Sequence, residues 1–295
     1  MIRHIITSGC SFSDALPVYS WPNILERKLP FFSFTHVGMG SQGQDLIQKK
    51  ACLAVTDALK QFKPEEILVI VMWSGTERKS FYVDNPDFIE EVVKGWKMGS
   101  HWWGRQFCTL RNKVDQNIFV EDSKSGGKTY YNKEGGWYIC NYLFPDSNFT
   151  QNYFDLTSTI LGPAINSLEN IIFLQNFCKV KGIKLAQTFY RNYVWTDIEE
   201  NAENENLGYL FENIDHDTIV SKTGMYEYLR PYNAEKAVYD NFSKIFWKIM
   251  QVYKTDETAK YFLDDNWHPN ELGATKWLNE VLIPYLFKIV APTTM

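Results

Sequence analysis

Hydrophobic positions change period several times along this chain, and each change predicts an element. Ile2 to Thr7 is a short apolar run that stops at Ser8-Gly9, as a buried strand does. Ser20-Trp21-Pro22 opens a helix, with Ser20 as its cap and Pro22 in the first turn, where a missing N–H costs little. Phe31 to Val37 reads as a second strand running into Gly38. From Gln44 to Phe62, residues such as Leu46, Ile47, Ala51, Ala54, Val55 and Ala58 recur at helical spacing and predict one amphipathic helix. Ile67 to Trp73 is apolar on both faces, which belongs in the middle of a parallel sheet covered by helices on both sides.

The pattern lapses between about Lys79 and Phe154, where Gly pairs, Tyr and Trp abound without a period. That stretch reads as a large insertion, at about 79–154. A helix is expected around Asn166 to Val180 and a strand at Ile183 to Phe189. Residues 191–232 read as a second, irregular and acidic insertion, followed by a helix around Ala234 to Val252. Tyr261 to Leu263 is a short strand or turn, and a last helix runs from about Asn270 to Phe287. Strand and helix alternate without a repeat or a linker, so we expect a single α/β domain. Its architecture is a three-layer α/β/α sandwich with a central parallel sheet, plus the insertions.

Composition narrows the partners. The 295 residues carry a net charge of −5 and no basic tract, which excludes binding nucleic acid through its phosphates. No apolar run approaches the ~20 residues that span a bilayer, and the apolar stretch at Met1 is too short for a signal peptide. A cytoplasmic protein with no membrane partner is expected. The five cysteines (Cys10, Cys52, Cys108, Cys140 and Cys178) are odd in number and scattered, which argues against disulfides and zinc. His4, His36 and His101 stand alone, and Asp215-His216-Asp217 lacks a metal-ligand spacing partner, so no metal is expected. With 16% aromatic residues, the insertion (Trp96, Trp102, Trp103, Trp137, Tyr138) is suited either to stacking on sugar rings or to packing a subdomain or a protein interface.

Four segments carry candidate chemistry. Gly9-Cys10-Ser11-Phe12-Ser13 follows the first strand, and ligands of open α/β sheets bind beyond the strands' carboxyl ends. Ser11 is there a candidate nucleophile, with Cys10 a competitor because a thiolate is intrinsically the stronger one. Asp265-Asn266-Trp267-His268-Pro269 precedes the last helix. His268 can serve as the base a serine hydroxyl needs, and Asp265, three residues earlier, can hold its tautomer. Gly38-Met39-Gly40-Ser41-Gln42-Gly43 reads as GxGxxG, the dinucleotide fingerprint, but follows the second strand and lacks the acidic residue expected ~20 residues on. In either case its N–H groups suit an anion, a pyrophosphate or a developing oxyanion. Trp73-Ser74-Gly75-Thr76-Glu77-Arg78 closes the strongest strand.

In this order the four segments resemble the SGNH (GDSL-type) hydrolase superfamily, over about residues 1–78, 166–190 and 260–289. The resemblance implies a flavodoxin-like fold and no cofactor. It implies Ser11 as nucleophile, His268 and Asp265 as its partners, and the N–H groups of Ser11 and Gly40 as the oxyanion hole. The third block departs from the family's GxND, because Glu77-Arg78 follows Gly75-Thr76. A carboxylate ~4 Å from the oxyanion would cost roughly 4 kcal/mol, about a thousandfold in rate, unless Glu77 turns away, pairs with Arg78 or is protonated. Arg78 is itself a candidate donor. The resemblance implies a serine esterase or deacetylase acting on a small ester or an acylated saccharide. Two other readings stand beside it, an SGNH-like binding or assembly protein and a nucleotide-binding oxidoreductase. The altered block and the insertions also resemble SGNH-like proteins of bacteriophages, which would make the chain virion-associated.

Overall fold

Every residue of β1 (His4–Gly9) and β3 (Ile67–Trp73) is buried, as the two-sided apolar runs require. The computed structural model describes residues 1–14, 19–40, 42–76, 78–84, 107–108, 119–121, 128–130, 136–141, 148–157, 161–230, 257–263 and 268–290. Between the two buried strands in sequence comes β2 (Ser33–His36), shorter than the expected span and set at the edge of the sheet beside β1. Its neighbours Phe31 and Phe32 lie in the turn out of α1 (Trp21–Lys28), where Phe32 N–H bonds Leu29 O at 3.1 Å. Ser20 holds the N-cap position of α1, but its hydroxyl does not cap the helix and instead accepts from Asn23 Nδ2 at 3.2 Å.

Helix α2 (Gln44–Ala58) ends before the expected Phe62, whose N–H bonds Ala58 O in a closing turn. That turn lays the Phe62 ring on His4, with centroids 4.6 Å apart. The first insertion departs from the period-free reading. β4 (Arg78–Val83), β5 (Phe107–Cys108), β6 (Phe119–Glu121), β7 (Lys128–Tyr130) and β8 (Gly136–Asn141) build two small antiparallel sheets, ordered β4-β8-β5 and β6-β7. β4 hid from pattern reading because its inward residues are Arg78 and Ser80, polar where alternation calls for apolar. Helix α3 (Asn148–Thr157) follows.

Helix α4 (Leu161–Lys181) closes with Gly182 at φ 71°, and Ile183 N–H reaches Cys178 O at 2.9 Å, the Schellman pattern. It delivers the chain into β9 (Lys184–Phe189). The main sheet is parallel, in the order β2-β1-β3-β9. Order reverses between β1 and β3, where such sheets bind ligands. α2 and α4 meet on one face, where Gln44 Nε2 donates to Ser167 Oγ at 2.7 Å. α1 packs on the other face against α8 (Glu271–Trp277), with Trp21 edge-on to Trp277 at 5.9 Å. The result is the three-layer α/β/α sandwich. Among the described residues, no helix is long and apolar enough to cross a membrane.

The second insertion is not irregular. α5 (Tyr193–Glu200), α6 (Glu205–Phe211), a 3-10 turn (His216–Thr218) and α7 (Met225–Leu229) fill it. Each is too short to display a period, although Asn204 and Asp215 cap theirs with side-chain oxygens. The helix expected at 234–252 lies outside the described residues. The last helix is broken by a π turn, Leu278–Leu282, before α9 (Ile283–Val290). Pro284, which has no N–H to give the ladder, accounts for the break.

Candidate active site

Strand β1 ends at Gly9, φ 156°, and the chain folds at once into a 3-10 turn over Ser11–Ser13. Ser13 N–H bonds Cys10 O at 2.8 Å, and Ser13 Oγ accepts from Trp21 Nε1 at 2.9 Å, so the turn is pinned at both ends. Cys10 points into the core with no exposed surface, whereas Ser11 is only partly buried. The glycines around this turn have steric reasons. A Cβ on Gly9 would stand 2.3 Å from Ser13 Oγ, and one on Gly38 2.1 Å from Ser13 O. The first glycine of the GxGxxG match therefore serves close packing against the Ser11 turn.

His268 arrives from the far end of the chain through a small closed loop. Leu263 N–H bonds His268 O at 2.9 Å, and Asn270 N–H bonds Tyr261 O at 3.0 Å. Asn270 Nδ2 donates to Lys260 O (2.8 Å) and Phe262 O (3.0 Å), while its Oδ1 accepts from Gly273 N–H. Gly273 has no room for a side chain, since a Cβ there would lie 2.3 Å from Tyr261 O. Held this way, His268 Nε2 stands 2.9 Å from Ser11 Oγ, across 257 positions of sequence. With the ring proton on Nδ1, the serine hydroxyl donates to Nε2. Phe12 supports the imidazole from the side, centroid to centroid 5.5 Å. Asp265 falls outside the described residues.

The remaining expected groups are arranged differently from one another. Gly40 lies beside Ser11, and its N–H donates to Asp14 Oδ2 at 3.1 Å. Sequence reasoning passed over Asp14. The signal was there, a carboxylate three residues past the serine, but only a 3-10 turn brings it to the Gly40 N–H. Glu77 falls outside the described residues. Arg78 is buried, its guanidinium 5.1 Å from the centre of the Tyr190 ring. Tyr190 stands edge-on to Phe12 at 5.2 Å, so Arg78 belongs to the aromatic layer behind the Ser11–His268 pair.

At the N-terminus of α2, the Gly43 N–H, one of the groups that could hold a pyrophosphate, is engaged by the chain itself. Gly43 N–H donates to Ser80 Oγ at 3.2 Å, and Ser80 N–H donates to both carboxylate oxygens of Asp45. Burial pushes the Asp45 carboxyl up, against the pull of Lys79 and Lys49. Two surface clefts, about 410 Å³ beside Asp45 and Lys79 and about 400 Å³ beside His4 and Phe62, are not lined by Ser11 or His268.

The described residues define a class: an α/β/α sandwich with a serine–histidine pair at the carboxyl edge of its sheet. No sequence-family model matches the chain, and no curated protein does. Among solved structures it is similar to a member of the lipolytic protein G-D-S-L family from Veillonella parvula, at 10% identity and a TM-score of 0.33, over 94% of this chain and 97% of that one.

Proposed function

We propose that the protein is a serine hydrolase of carboxylic esters. The observation that carries the reading is the 2.9 Å approach of His268 Nε2 to Ser11 Oγ at the sheet's switch point. Ser11 Oγ attacks the ester carbonyl carbon while His268 Nε2 takes its proton. Backbone N–H groups of Ser11 and Gly40 hold the oxyanion. The proton then passes to the departing alkoxide, and an acyl-serine remains. Water attacks that ester with His268 again as base, freeing the acid. Asp265, three residues before His268 in sequence, orients the imidazole and steadies its cation. An O-acetylated saccharide is the substrate we propose, with the aromatic insertion stacking on its rings.

One contact favours a second reading. Asp14 already occupies the Gly40 N–H, as expected of an SGNH-like fold kept for binding or assembly with little turnover. A fluorophosphonate probe separates the two. An esterase is labelled at Ser11, loses labelling and turnover of an activated ester in Ser11→Ala by at least about a thousandfold, and keeps most of both in Cys10→Ala. A folded protein that the probe leaves untouched would refute the esterase and leave the binder.

A further inference from the structure

We propose that Trp21 is a positioning residue, one that sets the Ser11–His268 distance by tying the nucleophile's turn to the helix behind the base. The inference rests on the esterase reading above. Ser11 sits in a single 3-10 turn, a conformation whose hydrogen bonds are poorly aligned. Its first bond, Ser13 N–H to Cys10 O, is 2.8 Å, but its second, Asp14 N–H to Ser11 O, stretches to 3.4 Å. The Trp21 indole reinforces that turn, its Nε1 donating to Ser13 Oγ at 2.9 Å, two residues past the nucleophile. Trp21 and Ser13 have no exposed surface, so neither can trade this bond for one to bulk water.

The same ring reaches the other half of the pair. It meets Trp277 edge-on at 5.9 Å, and Trp277, equally buried, is the last residue of α8. α8 starts at Glu271, three residues after His268, and its cap Asn270 holds the His268 loop. At the far end of α1, Arg27 Nη2 donates to Glu271 Oε1 at 2.7 Å, so the two helices lie side by side in opposite directions. That ion pair is exposed and contributes little, which leaves the buried indole as the stronger tie. A misplacement of about 1 Å between reacting groups costs on the order of a hundredfold in rate. A bond that keeps the turn in register with α8 therefore acts on the chemistry as well as on the fold.

The test follows fluorophosphonate labelling of Ser11 in wild type, Trp21→Phe, Ser13→Ala and the double variant. Trp21→Phe keeps a ring against Trp277 and removes the N–H, while Ser13→Ala removes the acceptor. Each time course gives the fraction of molecules labelled at completion and the rate constant per competent site. Lost folding lowers the first, and lost positioning lowers the second. We expect every variant to label to completion, with the rate constant of each single variant down about tenfold. The double variant should be no slower than the slower single, because both changes remove one bond. Rate constants within about twofold of wild type in both singles overturn the proposal. So does a reduced labelled fraction at an unchanged rate constant, and so do losses that multiply in the double variant. Each of these leaves the esterase intact. If wild type itself takes no label, the esterase reading fails and the positioning role with it. Should Trp21→Phe not fold, Ser13→Ala decides alone, and an unchanged rate constant in it overturns the proposal.

Discussion

Two glycines two residues apart, Gly38 and Gly40, separate packing from chemistry. A methyl on Gly38 would sit 2.1 Å from Ser13 O, so Gly38→Ala has to push the Ser11 turn aside. We expect it to lower stability by about 1–3 kcal/mol in chemical denaturation and to cut fluorophosphonate labelling. Among the described residues, a methyl on Gly40 meets nothing closer than 3.8 Å. Gly40→Ala should therefore melt like wild type and still lose about tenfold or more in kcat/KM, because the methyl takes the carbonyl's place. Equal melting losses in the two variants would defeat this distinction. The cysteines offer a control on the nucleophile, since burial pushes the Cys178 thiol up to about 12. Iodoacetamide at pH 8 should leave Cys178 unmodified in the folded protein, as peptide mass mapping would show. At this scale Ser11 and His268 were legible, because serine chemistry needs a base and the two lie at predicted strand ends. Gly38 and Asp14 were not, since what each touches depends on a three-residue turn whose shape no period announces.

Elements position the pair more than any single side chain does. Asn270 caps α8 and also ties both ends of the His268 loop through Lys260 O and Phe262 O. Asn270→Ala should cost about 1–2 kcal/mol as a lost cap and slow Ser11 labelling beyond what that loss explains. Full labelling with reduced stability would mean that the loop holds its shape without Asn270. The long elements were readable in advance: β1 and β3 follow short continuous apolar runs, α2 follows apolar residues at helical spacing, and α4 and β9 fall where a helix and a strand were expected. Shorter ones were not, because α5, α6 and α7 have between 5 and 8 residues, barely a turn or two. β4 was hidden by Arg78 and Ser80 on its inner side, and the π turn by an otherwise continuous apolar stripe, although Pro284 marked it.

For the molecule as a whole, two buried groups set opposite trends with pH. His4, under the Phe62 ring and bonded to Ser33 Oγ at 3.0 Å, has its pKa lowered from 6.5 by burial. The unfolded chain takes up that proton first, so the stability His4 contributes is full above about pH 6.5 and is lost as pH falls through the folded value. Asp45 runs the other way. Its raised value makes the neutral acid favoured in the fold, so its contribution is present at low pH and is lost as pH rises through that value. Thermal melts should therefore show wild type losing more stability than His4→Gln between pH 7 and pH 5. Parallel curves would show that His4 does not set the acid limb.

Because Ser11 and His268 lie 257 residues apart, the pair can form only after the segment that carries His268 has left the ribosome. At elongation speeds of about 5–20 residues per second, the hydroxyl waits on the order of tens of seconds for its imidazole. On the esterase reading, chains that stop short of His268 lack the base, and each molecule that reacts with a serine-directed probe reports a translation product carried past that residue.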